Sequence, residues 1–190
     1  MKLKVCGITN EADALVAAQA KVDYLGYVIN YTASPRFISP TDAQTVIHKV
    51  KQLYPTVQHV AGLVTPTAQF IAELNTLPFG VFQIYGAIPN NSAKPIWQSE
   101  VGHVSEPQSP LVTMLHCDAG LGSGHTLPSD VLQQLRPKLP LVIAGGLNKD
   151  NIQQVIQLCH PAIVDVNSGG ESVPGKKDIK KIYELRQLVF

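Results

Sequence analysis

No apolar stretch in this sequence approaches the roughly 20 residues that a membrane helix requires, and Met1 to Cys6 alternates charged and apolar residues, unlike a signal peptide. No membrane partner is therefore expected, and the cytoplasm is the expected compartment. No run of five like charges occurs and the formal net charge is +1, which offers a polyanion such as nucleic acid nothing to grip. A small anionic ligand needs only a local site. Cysteine is scarce: Cys6, Cys117 and Cys159 are odd in number, far apart and outside any CxxC pair, so neither a disulfide framework nor a structural zinc site is expected and all three read as free thiols. The six histidines show no H-x-x-x-H or other ligand spacing, so they read as exposed or core residues and no metal is expected. The first strand is followed by Gly7-Ile8-Thr9, with one glycine and no G-x-G-x-x-G, which argues against a dinucleotide-binding open sheet.

What is present is a repeated alternation of short apolar runs with stretches of helical periodicity, the pattern of parallel strands joined by crossovers. At 190 residues and 45% hydrophobic, the chain can bury one sizeable core, and one domain is expected over 1–190. Strands are predicted at Leu3 to Cys6, Tyr24 to Ile29, His59 to Val64, Gly80 to Ile84, Ile96 to Val101, Leu111 to Cys117, Leu141 to Ala144 and Ala162 to Val166. Helices are predicted at Glu11 to Ala20, Pro40 to Gln52, Thr67 to Leu74, Ser129 to Leu135, Lys149 to Cys159 and Asp178 to Val189, with Asn10 and Asn148 as caps and acidic residues in the turns that follow them. The intervals Ala87 to Pro95 and Gly102 to Pro110 are rich in Pro, Asn and Ser and have no apolar helical stripe. The fold class expected is α/β, a single-domain (β/α)8 TIM barrel with short or missing helices after strands 4 and 5. Such barrels usually exceed 200 residues, and an open doubly wound sheet is the alternative.

The polar and glycine residues gather at the C-terminal ends of the strands. Cys6 ends strand 1, Gln83 and Gly86 end strand 4, Asp118 ends strand 6, Gly145 and Gly146 end strand 7, and Ser168 and Gly169 follow strand 8. In a parallel barrel these ends share one face, where the βα loops build the active site. Glycines after strands 7 and 8 let backbone N–H groups approach an anion closely. Paired at the position where this fold often binds phosphate, they predict a phosphate site.

The ordered segments Lys4-Val5-Cys6-Gly7-Ile8-Thr9, Ser34-Pro35-Arg36, Gln83-x-x-Gly86, Asp118, Ala144-Gly145-Gly146-Leu147-Asn148-x-x-Asn151, Val164-Asp165-x-x-Ser168-Gly169-x-Glu171 and Gly175-x-Lys177-Asp178 span nearly the whole chain, and in this order the sequence resembles the phosphoribosylanthranilate isomerases of tryptophan biosynthesis. The resemblance implies an Amadori rearrangement of a small phosphosugar, with no metal or redox cofactor. It implies Asp118 as general acid, Cys6 as general base, and Arg36 as the partner of the anthranilate carboxylate through two hydrogen bonds. Gln83, Gly145, Gly146, Asn148, Ser168 and Gly169 are then expected to bind substrate. The default oligomeric state is a monomer, with a homodimer left open.

The sequence departs from the family pattern at several points. Tyr85 stands where Q-L-H-G has histidine, and Leu121-Gly122-Ser123-Gly124 stands where G-G-T-G is usual. His125-Thr126-Leu127-Pro128 lacks the usual Phe and Asp-Trp, and Gly170 replaces a valine. Two other readings stand beside an active isomerase. One is a drifted phosphosugar-binding barrel without activity. The other is an isomerase of histidine biosynthesis, disfavoured because that enzyme pairs two aspartates on a repeated barrel.

Overall fold

In the computed structural model, which describes residues 1–120 and 124–189, eight parallel strands close into a barrel in sequence order, β1 next to β8. They are β1 (Lys2–Val5), β2 (Tyr24–Val28), β3 (Gln58–Val64), β4 (Val81–Tyr85), β5 (Ile96–Val101), β6 (Val112–Asp118), β7 (Leu141–Ala144) and β8 (Ile163–Val166). The helices are α1 (Glu11–Gln19), α2 (Pro40–Leu53), α3 (Ala68–Asn75), α4 (Ser129–Gln134), α5 (Ile152–Cys159) and α6 (Ile179–Val189). The barrel expected from the sequence is thus the one observed, and most predicted boundaries lie within a residue or two.

Local chemistry starts the helices where the sequence placed them. Asn10 accepts the Asp13 N–H at 2.8 Å at the start of α1, and Ser39 accepts that of Asp42 at 3.1 Å at the start of α2, where Pro40 occupies the first turn. The predicted start of α5 is corrected. The helix begins at Ile152 rather than Lys149, because Asn148 closes a turn on the Asp150 N–H at 2.9 Å instead of capping a helix.

No helix joins β4 to β5 or β5 to β6, as the composition of those intervals implied. The reason is visible on the outer face of β5. Trp97 points into the barrel, so by strand alternation Gln98 and Glu100 point outward. A helix would have to bury them against apolar residues. Instead the segment 102–111 covers them and satisfies them: Gln98 Nε2 donates to Ser105 Oγ at 3.0 Å, Gln98 Oε1 accepts the Gln108 N–H at 2.9 Å, and Glu100 accepts the N–H and hydroxyl of Ser105. The 86–95 segment is fastened to α3 through Asn91 Nδ2, which donates to the Ala68 carbonyl at 2.7 Å, and through Asn75.

Inside the barrel, Tyr24, Val60, Val81, Trp97, Val142 and Ile163 form an apolar plug toward the N-terminal end, with Trp97 edge-on to Tyr24 at 5.1 Å. A larger core lies between strands and helices. After β8 the chain makes a single 3-10 turn, Ser168–Gly170, and then a short antiparallel hairpin of β9 (Glu171–Val173) and β10 (Lys176–Lys177) before α6. No helix among the described residues is long and apolar enough to cross a membrane.

If the polar outer face of β5 is what replaces the crossover helix, Gln98→Leu should lower unfolding free energy by roughly 1–3 kcal/mol, the cost of stranded buried partners. Hydrogen exchange at the Gln108 amide should accelerate at the same time. Unchanged stability and protection would contradict this role.

Candidate active site

Two residues along the strands from the apolar plug, the inward positions of β1, β4, β6 and β8 are polar. Lys4, Gln83, His116 and Asp165 all lie here and all are buried. Lys4 Nζ donates to Asp165 Oδ2 at 2.5 Å and to Gln83 Oε1 at 2.8 Å, and His116 Nε2 lies 3.1 Å from the same Asp165 oxygen. Burial would push the Asp165 carboxyl up, but the Lys4 ammonium and His116 outweigh it and hold the carboxyl below its ordinary range. Burial likewise opposes the charge on Lys4, yet Asp165 keeps its ammonium above the ordinary lysine value. The floor of the site is therefore a buried ion pair.

One more step along the strands reaches the mouth. Cys6, Tyr85 and Asp118 line a cavity of about 360 Å³, together with Arg36, Gln83, Gly145, Gly146 and Ser168. The expected site residues thus converge on one cavity, with two exceptions. Asn148 and Gly169 do not line it. Asn148 is spent on the loop, donating to the Gly146 carbonyl at 3.2 Å while its oxygen accepts from Asp150. Gly169 lies where a Cβ would stand 1.9 Å from the Leu147 carbonyl oxygen, so only glycine lets the loops after β7 and β8 pack this closely. Among the described residues, no hydrogen bond engages the backbone N–H groups of Gly146 or Ser168, both of which line the cavity, and amide donors of this kind suit an anion. Leu121, Gly122 and Ser123 lie outside the described residues. Gly124 belongs to the loop whose backbone packs on Gly146, its carbonyl oxygen 2.5 Å from where a Gly146 Cβ would stand.

Cys6 and Asp118 sit on β1 and β6, separated by β7 and β8 on the shorter way round. The space for the thiol comes from Gly26 in β2, where a Cβ would meet Cys6 Sγ at 2.7 Å and Lys4 Nζ at 3.0 Å. Burial pushes the Cys6 thiol up and Lys4 and Lys177 pull it down, with burial prevailing. Asp118 accepts on both oxygens, from the Tyr85 hydroxyl at 3.0 Å and the Gly120 N–H at 2.9 Å.

Arg36 reaches the cavity but is not waiting alone for a carboxylate. Its Nε and Nη2 donate to Glu171 at 3.0 and 2.8 Å, and Glu171 also accepts from buried Lys177 at 2.7 Å. Burial pushes the Glu171 carboxyl up, but Arg36 and Lys177 together hold it below its ordinary range. Lys177 donates in addition to Asn167 at 3.0 Å. Sequence reasoning gave no role to Glu171, Lys177 or Asn167, although the first two lie in the quoted motifs. Nor did it find the apolar wall of Val28, Leu63 and Val64, with Tyr31 at the rim, 51% exposed for the whole residue.

A family model described as N-(5'-phosphoribosyl)anthranilate (PRA) isomerase matches residues 3–188. The chain belongs to this family. A relative named N-(5'-phosphoribosyl)anthranilate isomerase from Pelobacter propionicus is 34% identical, covering 97% of this chain and 93% of its own. The crystal structure of the phosphoribosyl anthranilate isomerase from Thermus thermophilus superposes with a TM-score of 0.82 at 26% identity, covering 100% of this chain and 98% of that one. A further structure of the enzyme, in complex with reduced 1-(o-carboxyphenylamino)-1-deoxyribulose 5-phosphate, gives a TM-score of 0.80 at 26% identity over 98% of this chain and 97% of that one.

Two measurements check the electrostatics. Lys4→Met should cost about 3–5 kcal/mol in urea unfolding, since it leaves Asp165 buried with only His116; a loss below about 1 kcal/mol, the range of an exposed pair, would contradict the ion-pair floor. Alkylation of Cys6 by iodoacetamide in the ligand-free protein should be slow at neutral pH and keep rising past the ordinary thiol value of 9.0. A rate already at its plateau by neutral pH would show a thiolate instead.

Proposed function

We propose that this chain catalyses the Amadori rearrangement of N-(5-phosphoribosyl)anthranilate to 1-(2-carboxyphenylamino)-1-deoxyribulose 5-phosphate, a step of tryptophan biosynthesis, with Asp118 as general acid and Cys6 as general base. The observation that carries this reading is a thiol and a carboxyl at different strand ends of a single cavity, with unengaged amide donors on one side and a guanidinium on another. The two ends of the substrate match these two features. Its phosphate meets the N–H groups of Gly146 and Ser168, and its carboxylate meets Arg36. The apolar wall around Leu63 and Val64 suits the aromatic ring between them.

The chemistry then needs two proton transfers. Asp118 gives its proton to the ribose ring oxygen, the bond from that oxygen to C1 breaks, and the nitrogen lone pair closes onto C1 as an iminium. Cys6 takes the proton from C2, and the released pair forms the C1–C2 double bond while neutralising the nitrogen. Loss of the enol proton and protonation of C1 give the ketone. Burial disfavours the Cys6 thiolate before substrate arrives, and the positive iminium beside it favours the charged form once the ring opens. No redox equivalent or metal enters this balance.

The acid, the base and the guanidinium that this reading uses lie within one protomer's barrel, and we propose the single barrel as the catalytic unit. Three free thiols suit a reducing compartment, and we place the protein in the cytoplasm on that ground. A drifted, inactive barrel gains no support: the thiol, carboxyl and guanidinium all line one cavity.

The test follows loss of the substrate's fluorescence with the purified protein. Wild type should turn over, and Cys6→Ala and Asp118→Asn should each lose about 10²–10⁴-fold in kcat while remaining folded, the usual contribution of a positioned acid or base. A folded but inert wild type would favour the binding barrel instead.

A further inference from the structure

Tyr85 has no part in the chemistry above, yet its side chain touches Asp118. Its hydroxyl donates to Asp118 Oδ2 at 3.0 Å, while the other oxygen, Oδ1, accepts the Gly120 N–H at 2.9 Å. Donors on both oxygens fix the plane of the carboxyl group as well as its position. The tyrosine is itself held on two sides. Gln83 Nε2 reaches its oxygen at 3.4 Å, with Gln83 anchored in turn by Lys4, and the ring stands edge-on to His116 with centroids 6.0 Å apart at 81°. Burial, and then the Asp118 carboxyl beside it, hold the phenol well above its ordinary value. The hydroxyl therefore stays protonated at any working pH. A phenol both donates and accepts, so the contact persists whether Asp118 is charged or carries the proton it must deliver.

We propose that Tyr85 is the positioning residue for the general acid, aiming the Asp118 carboxyl at the ribose ring oxygen. The proposal rests on the reading of Asp118 as that acid. It gives the tyrosine that stands where the family pattern has histidine a function: its hydroxyl holds Asp118. The charged and titratable groups around the pair are Asp165 and His116 from the floor and Cys6 and Lys4 from β1, and none of them is altered by a change at Tyr85.

The experiment compares pH profiles of kcat and KM for wild type, Tyr85→Phe and Asp118→Asn. Phenylalanine keeps the ring and its packing on His116 and removes only the hydroxyl. The expected result is a kcat lower by about 10–100-fold, as for a misplaced catalytic group, with KM little changed. The alkaline limb of kcat should also move to higher pH, because a donor that favoured the carboxylate is gone. A space-filling tyrosine would move neither. If Tyr85→Phe retains wild-type kcat and limb while Asp118→Asn is inactive, the proposal fails and the reading of Asp118 stands. If Asp118→Asn is active, both fail. Should Tyr85→Phe not fold, 3-fluorotyrosine at this position, a stronger donor of nearly the same shape, decides: a limb moved to lower pH supports the proposal and an unmoved limb overturns it.

Discussion

The buried pair of Lys4 and Asp165 is the constraint on which the rest of the site depends. An ammonium and a carboxylate inside a barrel are tolerable only while each keeps the other and polar partners stay close by. That requirement ties β1 to β8 directly, to β4 through Gln83 and to β6 through His116. The strand period of two then does the rest. Cys6 stands two residues beyond Lys4, Tyr85 two beyond Gln83, Asp118 two beyond His116, and Asn167 two beyond Asp165. Each group at the mouth is thus one inward position above a member of the floor network. The positions of the reactive groups follow from an electrostatic demand beneath them.

A second network fastens the rim. Glu171, on the hairpin after β8, holds Arg36 from the loop after β2 and Lys177 from the neighbouring strand of the hairpin. Arg36 also lies flat on Gly7, where a Cβ would come within 2.7 Å of its side chain. The guanidinium is thereby oriented before any ligand binds. In the proposed binding mode, a substrate carboxylate would meet at Arg36 a cation already paired with Glu171, so its hold would come from geometry as much as from charge. The same hairpin adjoins the turn Ser168–Gly170, which joins the proposed carboxylate end of the cavity to the proposed phosphate end.

Most of the barrel was legible in the sequence because strands and helices announce themselves through local periodicity and capping. The absent crossover helices were legible for the same reason, since Pro, Asn and Ser left no apolar stripe between β4 and β6. Cys6, Asp118 and Arg36 were legible from motif and strand-end position. The floor was not. Lys4 and Asp165 are 161 residues apart and meet only when β1 closes against β8, so nothing local in either strand marks the pair. His116 read as one more histidine without ligand spacing, and Tyr85 as a mere departure, because hydrogen bonds across a barrel leave no trace in the sequence. Asn148 misled for the opposite reason: an asparagine before a helical stretch suits a cap and an Asx turn equally well, and the choice between them is made by the carbonyl of Gly146.

The most direct test of the account is a crystal structure of this chain with the reduced product, 1-(o-carboxyphenylamino)-1-deoxyribulose 5-phosphate. The account predicts the phosphate on the amides of Gly146 and Ser168 and the carboxylate on Arg36. It also predicts Cys6 Sγ and the Asp118 carboxyl within about 3–3.5 Å of ribose C2 and of the former ring oxygen, respectively. A ligand bound with its phosphate elsewhere, or with both the thiol and the carboxyl out of reach of the ribose chain, would contradict it.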